Sequence, residues 1–312
     1  MFKSKSVIVL ILLVLAACSK EQNDGESSPV ADTRPIIVAT TTIVADIARN
    51  VAGDRMSVIS IMKPGEDPHI YDPRPGDARL LAGADVVLTN GLHLEGTLHD
   101  IVHNNLKDGA VFCELAEDER IKVIESEQYQ GAPDPHCWFS LPFVKVYTAN
   151  ATEALIAADP PGADHYRANA RSYLARLDSL DTYTRKVFTT IPEENRILVT
   201  AHDAFHYFGI EYGIEVKTVI GINTDSEPRP QDIESLVRII EQHNVPAVFI
   251  ETSVSPSLNN LVRKVSQKTG AVVGGELYSD SLGEPEGETG AFLGMFRHNV
   301  DTIAKALGAG GV

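Results

Sequence analysis

The chain has 312 residues, 43 acidic against 27 basic, for a formal charge of −16, with 43% hydrophobic and 22% charged residues. That balance is globular: it excludes wholesale disorder, a collagen-like repeat and a polytopic membrane protein, and the length allows two domains, each with a core. An acidic surface with no basic cluster interleaved with aromatics repels a phosphate backbone, so nucleic acid is excluded as a partner.

Lys3 and Lys5 precede an apolar run, residues 7–17, which ends in Leu15-Ala16-Ala17-Cys18 before the sequence turns polar. The run is shorter than the roughly 20 residues a spanning helix needs, and its charged start and small-residue end read as a secretory signal over residues 1–17. The L-A-A-C tetrapeptide resembles a bacterial lipobox, which makes Cys18 the lipid anchor. Residues 18–34 carry almost no large apolar side chain and read as a flexible tether. Two cysteines remain, Cys113 and Cys137, without a C-x-x-C motif; their pairing is open, with two buried free thiols the preferred reading.

Residues 36–40 (IIVAT) read as a strand, followed by a helix to Val51 and a second strand over 57–62 (SVISIM) that ends in Pro-Gly. A helix over 76–84 and a strand over 85–89 come next. The alternation predicts an α/β fold with mainly parallel sheets. After two prolines, Pro160 and Pro161, residues 164–187 place Tyr166, Ala170, Tyr173, Leu177, Leu180, Thr184 and Val187 at three- and four-residue spacing, the pattern of one long helix. Such a helix spans roughly 37 Å at 1.5 Å per residue, a stiff brace. Strands at 197–200, 216–220, 247–251 and 271–273, with helices ending at Tyr212 and covering 231–243 and 257–269, repeat the first topology. The organisation is an N-terminal α/β lobe over 35–160, a linking helix over 161–191 and a similar C-terminal α/β lobe over 192–312.

Ligands of open α/β sheets bind beyond the carboxyl ends of strands. His69, His136, His202 and Asp280 are placed at such positions, two in each lobe. Three imidazoles and one carboxylate suit Zn²⁺, Mn²⁺ or Fe²⁺ better than Ca²⁺ or Mg²⁺, which want oxygen. Asp-Pro-His occurs twice, at Asp67 and Asp134. Proline restricts its own φ and the conformation of the residue before it, so each histidine leaves its turn in a limited direction, with Asp67 and Asp134 able to orient backbone or imidazole from behind. Two ordinary Asx-Pro turns with surface histidines are the alternative.

The segments GEDPHIYDPRPGDARLLAGADVVLTNGLHLEG (65–96), DPHCWFS (134–140), TAHDAFHYFG (200–209), GINTDSEPRPQD (221–232), VFIETSVSP (248–256) and GGELYSDSLG (274–283) closely resemble the cluster A-I solute-binding lipoproteins of metal-importing ABC transporters. The resemblance runs from about Pro35 to the C-terminus. It implies two lobes bridged by one long rigid helix, a metal held in the cleft between them by His69, His136, His202 and Asp280, and a monomer lipid-anchored on the periplasmic or cell-surface side of a bacterial membrane. It further implies delivery to an ABC permease driven by a cytoplasmic ATPase. Members that resemble manganese or iron importers often carry Glu where this chain has His202, and zinc-dedicated members insert a His-rich loop before the second ligand. Residues 104–133 contain no His. The chain is thus similar to the loopless three-His-one-Asp type, with Zn²⁺ or Mn²⁺ as cargo ahead of Fe²⁺.

The other histidines have plainer readings. His206 follows His202 by four residues and is assigned to the cleft wall, and His93, His99 and His103 to a solvated helix face, with low-affinity metal collection as the functional alternative. His165, His243 and His298 read as surface residues without partners. Glu66, Asp67 or Glu251 beside a zinc-bound water would make a hydrolase, but four protein ligands fill a tetrahedron and no H-E-x-x-H, G-x-S-x-G or phosphate-binding glycine loop occurs, so no enzyme is expected. A surface adhesin built on the same fold is the remaining alternative.

Overall fold

The computed structural model describes residues 33–125 and 131–310. The signal segment 1–17, Cys18 and the tether up to residue 32 lie outside the described residues. From Arg34 onward the chain forms one compact unit.

The β-branched run Ile36–Ala39 forms β1, and its fully buried side chains require cover on both faces. Helix α1 (Thr42–Ala52) follows, capped by Thr41 Oγ1 accepting from Val44 N–H at 3.2 Å. Then come β2 (Ser57–Ser60), α2 (Pro75–Gly83), β3 (Val86–Thr89), α3 (Thr97–Asn105) and β4 (Val111–Glu114). The four strands pair in parallel in the order β2-β1-β3-β4, with Ile37 opposite both Val58 and Val86, and Val86 opposite Val111. Helix α4 (Leu141–Ala158) returns across this sheet and leads into α5 (Ala163–Phe188).

The second half contains β5 (Ile197–Thr200), α6 (His206–Tyr212), β6 (Glu215–Thr218), α7 (Pro230–His243), β7 (Ala247–Glu251), α8 (Pro256–Thr269), β8 (Val272–Leu277) and α9 (Phe292–Ala306). Strand β5 pairs in parallel with β6, β7 pairs in parallel with β8, and β5 packs beside β7. The protein is a two-lobed α/β fold.

Every residue of the seven-residue stripe predicted for the long helix is buried in α5. Arg176 on α5 hydrogen-bonds Asn50 on α1, and Tyr183 bonds Asp301 on α9, so one helix grips both halves. The main core runs without a break from Ile37 and Trp138 through Tyr173 and Leu177 to Phe205, Phe249 and Phe296. Direct bonds tie the halves as well: Ser281 Oγ accepts from Gly65 N–H at 2.8 Å, Leu282 N–H donates to Thr42 Oγ1 at 2.9 Å, and Phe292 N–H donates to Asp46 at 3.1 Å.

The structure differs from the sequence reading in three respects. Strand β4 and helix α9 were not predicted. The strand has only four half-buried residues, whereas α9 buries Phe292, Met295, Phe296, Asn299, Val300, Ile303 and Ala304 at three- and four-residue spacing, a helical pattern that the sequence reading passed over. Among the described residues no strand directly precedes His136, only an isolated bridge between Glu125 and Pro133. Both Cys113 and Cys137 are free, but Cys113 is only partly buried, on β4. Burial pushes both thiols up, to about 11 and about 12, and makes them poor nucleophiles.

Candidate metal centre

His69 sits in a single 3₁₀ turn, Pro68–Ile70, that Asp67 caps by accepting from the His69 N–H at 2.9 Å. His136 stands immediately before a second such turn, Cys137–Phe139. His202 lies two residues past β5, and Asp280 three residues past β8. The fold brings the four together, with one ligand-type atom from each lying within 4.8 Å of all the others. His69 Nε2 is 3.2 Å from His136 Nε2, and Asp280 Oδ1 lies 3.3 Å from His136 Nε2 and 3.8 Å from His69 Nε2. Asp280 Oδ2 is 3.3 Å from His202 Nε2. Metal–ligand bonds of about 2.0–2.2 Å at tetrahedral angles separate neighbouring ligand atoms by roughly 3.3–3.5 Å, so these distances are those of one small coordination sphere.

The set is buried. His136, His202 and Asp280 side chains are fully enclosed, and His69 reaches solvent with 5% of its side chain, which places the way in beside it. Asp280 Oδ1 and His202 Nε2 are buried with no hydrogen-bond partner. Buried polar atoms left without a partner are costly unless something of positive charge satisfies them, so the donor set fits a cation.

Behind the histidines stand carboxylates. Asp134 Oδ1 lies 2.7 Å from His136 Nδ1 and also accepts from the His136 N–H at 3.0 Å. Glu251 Oε2 lies 2.7 Å from His202 Nδ1, while its Oε1 accepts from the Ala201 and His202 N–H groups at 2.7 and 3.0 Å. Each contact fixes the ring so that Nε2 faces inward. Asp67 holds only the backbone of His69. Asp280 Oδ2 accepts from Ser253 Oγ at 3.0 Å and Ser279 Oγ at 2.9 Å, leaving Oδ1 toward the imidazoles.

Burial opposes charge on His136, but the Asp134 bond and the Asp280 charge outweigh it and hold the ring up at about 9. His202 is likewise raised against its burial by Glu251 and Asp280. His69 has no carboxylate behind its ring: burial, aided by the neighbouring imidazoles, outweighs the Asp280 charge and drives it down to about 3. Asp280 is buried too, yet the facing His202 and His136 hold its carboxyl well below the usual range. Burial and the Asp280 charge raise Asp67 to about 6.

The general-base candidates are otherwise engaged. Glu66 bonds Arg74 and the Lys63 N–H, and Glu251 is spent on His202. Glu251 is the site residue that sequence reasoning did not assign to this role; its place at the carboxyl end of β7 was the available signal. His206 opens α6 outside the cluster. His165 and His298 do have partners, Ala52 O and Glu276 O, each at 3.1 Å.

Residues 37–306 match the family described as ZnuA, zinc-uptake complex component A, periplasmic. The chain belongs to this family. Among its relatives, the manganese-binding lipoprotein MntA of Bacillus subtilis (strain 168) is 41% identical over 97% of this chain and 98% of its own length. The periplasmic zinc-binding protein TroA from Treponema pallidum superposes with a TM-score of 0.83 at 35% identity, covering 88% of this chain and 99% of that one. A Mn-bound periplasmic metal-binding protein from Candidatus Liberibacter asiaticus gives a TM-score of 0.80 at 28% identity, covering 88% of this chain and all of its own. Of these three proteins one is named for zinc and two for manganese.

Proposed function

We propose that this protein is the extracytoplasmic solute-binding component of an ABC importer, which captures one Zn²⁺ or Mn²⁺ between its lobes and passes it to a membrane permease driven by a cytoplasmic ATPase. The metal ligands are His69, His136, His202 and Asp280, with Asp134 and Glu251 orienting the rings. The lobes are residues 35–160 and 192–312, and 161–191 is the brace. The observation that carries the reading is one buried cluster in which ligand atoms of His69, His136, His202 and Asp280 all lie within 4.8 Å of one another, while Asp280 Oδ1 and His202 Nε2 have no hydrogen-bond partner. Relatives such as the manganese ABC transporter substrate-binding lipoprotein PsaA of Streptococcus anginosus, 33% identical over 96% of this chain, support the transport role and the lipid anchor, here Cys18. No helix among the described residues is long and apolar enough to cross a membrane. Four protein ligands complete a tetrahedron, and a catalytic zinc needs a position left for water, so binding and release is the chemistry the site supports.

Titration of metal-stripped protein with Zn²⁺, Mn²⁺ and Fe²⁺ tests this. Wild type takes up one equivalent tightly, and His69→Ala and Asp280→Ala lose that tight site. A wild type without a tight equivalent, or variants that bind as well as it does, would overturn the proposal.

A further inference from the structure

Beside the buried centre, α3 carries His99 and His103, four residues apart and therefore on one face of the helix. Their Nε2 atoms are 3.1 Å apart, with the rings edge to face at 4.4 Å. Strand β4 runs under this face. Side chains alternate along a strand, so Phe112 and Glu114 point the same way. Phe112 packs edge-on against His103 at 4.8 Å, and Glu114 Oε1 lies 3.7 Å from His99 Nε2. Asp100 Oδ1 stands 3.8 Å from the other nitrogen of His99.

The geometry points to a second, surface metal site made by His99, His103 and Glu114, for a divalent cation of the nitrogen-preferring class such as Zn²⁺. One ligand atom from each of the three lies within 4.8 Å of the others. The 3.1 Å between the two imidazole nitrogens is close to the ligand spacing that bonds of about 2.0–2.1 Å enforce. Two neutral imidazoles and one carboxylate leave coordination positions for water, and the half-exposed setting costs the cation little dehydration. The site is thus weaker than the buried one and open to exchange. The start of α3 packs against the His69 turn: at Gly96 a Cβ would stand 3.3 Å from the His69 carbonyl oxygen, and Thr97 Oγ1 donates to Tyr71 O at 3.4 Å. A cation held there is held on the same loop end of the N-terminal lobe as His69.

The site stands on its own residues and does not depend on the transport reading. Zn²⁺ titration of untagged, metal-stripped protein, followed by calorimetry, is the test. Wild type shows a second, weaker equivalent after the first. His103→Gln, at an exposed position, and Glu114→Gln weaken the second equivalent by at least the roughly tenfold that loss of even an outer-shell partner costs, and leave the first unchanged. His69→Ala does the reverse. Saturation of wild type at one equivalent, or a second equivalent that survives both substitutions, would overturn the inference.

Discussion

At the residue scale, the site depends on what stands behind the four inward-facing atoms. Glu251 touches His202 Nδ1 and both backbone N–H groups at the end of β5, so Glu251→Gln removes the charge that orients this ring while keeping the shape. Zinc affinity is expected to fall about 10–100-fold, with an unchanged circular dichroism spectrum. Ser253 acts on the opposite partner. Its hydroxyl and that of Ser279 occupy Asp280 Oδ2, which keeps the carboxylate to one free oxygen. Manganese accepts more oxygen ligands than tetrahedral zinc does, so Ser253→Ala, by removing one of the two hydroxyls held on Oδ2, is expected to narrow the ratio of zinc to manganese affinity; competition titrations of the two ions measure it. The repeated Asp-Pro-His made Asp134 and Asp67 readable because each acts on a histidine two residues away. Glu251 was not readable in the same way, since its partner is 49 residues distant and only the packing of β5 beside β7 brings them together.

At the scale of elements, periodicity was informative where a whole face is buried and silent where it is not. The all-buried strands β5 and β7 and the stripe of α5 follow the sequence pattern closely. Strand β4 is half-buried along its length and offers no such pattern, whereas α9 buries one face at three- and four-residue spacing and was legible though not read. Leu177, at the middle of α5, is fully buried in the shared core. Leu177→Ala is therefore expected to destabilise the protein by about 2–5 kcal/mol in denaturant titration, with the metal affinity unchanged, because none of the four proposed ligands lies on this helix.

At the scale of the whole molecule, the two halves share one apolar core and are bonded to each other at Thr42, Gly65 and Asp46. Opening them wide would expose core and break these bonds together, so loading and release are expected to involve only modest rearrangement. Small-angle scattering of metal-free and metal-loaded protein should give nearly superimposable profiles; a large compaction on loading would count against this. Because the cation binds only the folded state, zinc at 100 times its dissociation constant should add about 2.7 kcal/mol of stability, read as a higher melting temperature that a chelator reverses.

The most direct measurement is X-ray absorption at the zinc edge of protein loaded with one equivalent. Three imidazoles and one carboxylate predict a four-coordinate ion with nitrogen and oxygen at about 2.0–2.2 Å and the multiple scattering of three histidine rings. A six-coordinate oxygen shell, a sulfur neighbour at about 2.3 Å, or a spectrum unchanged in His202→Ala would contradict it.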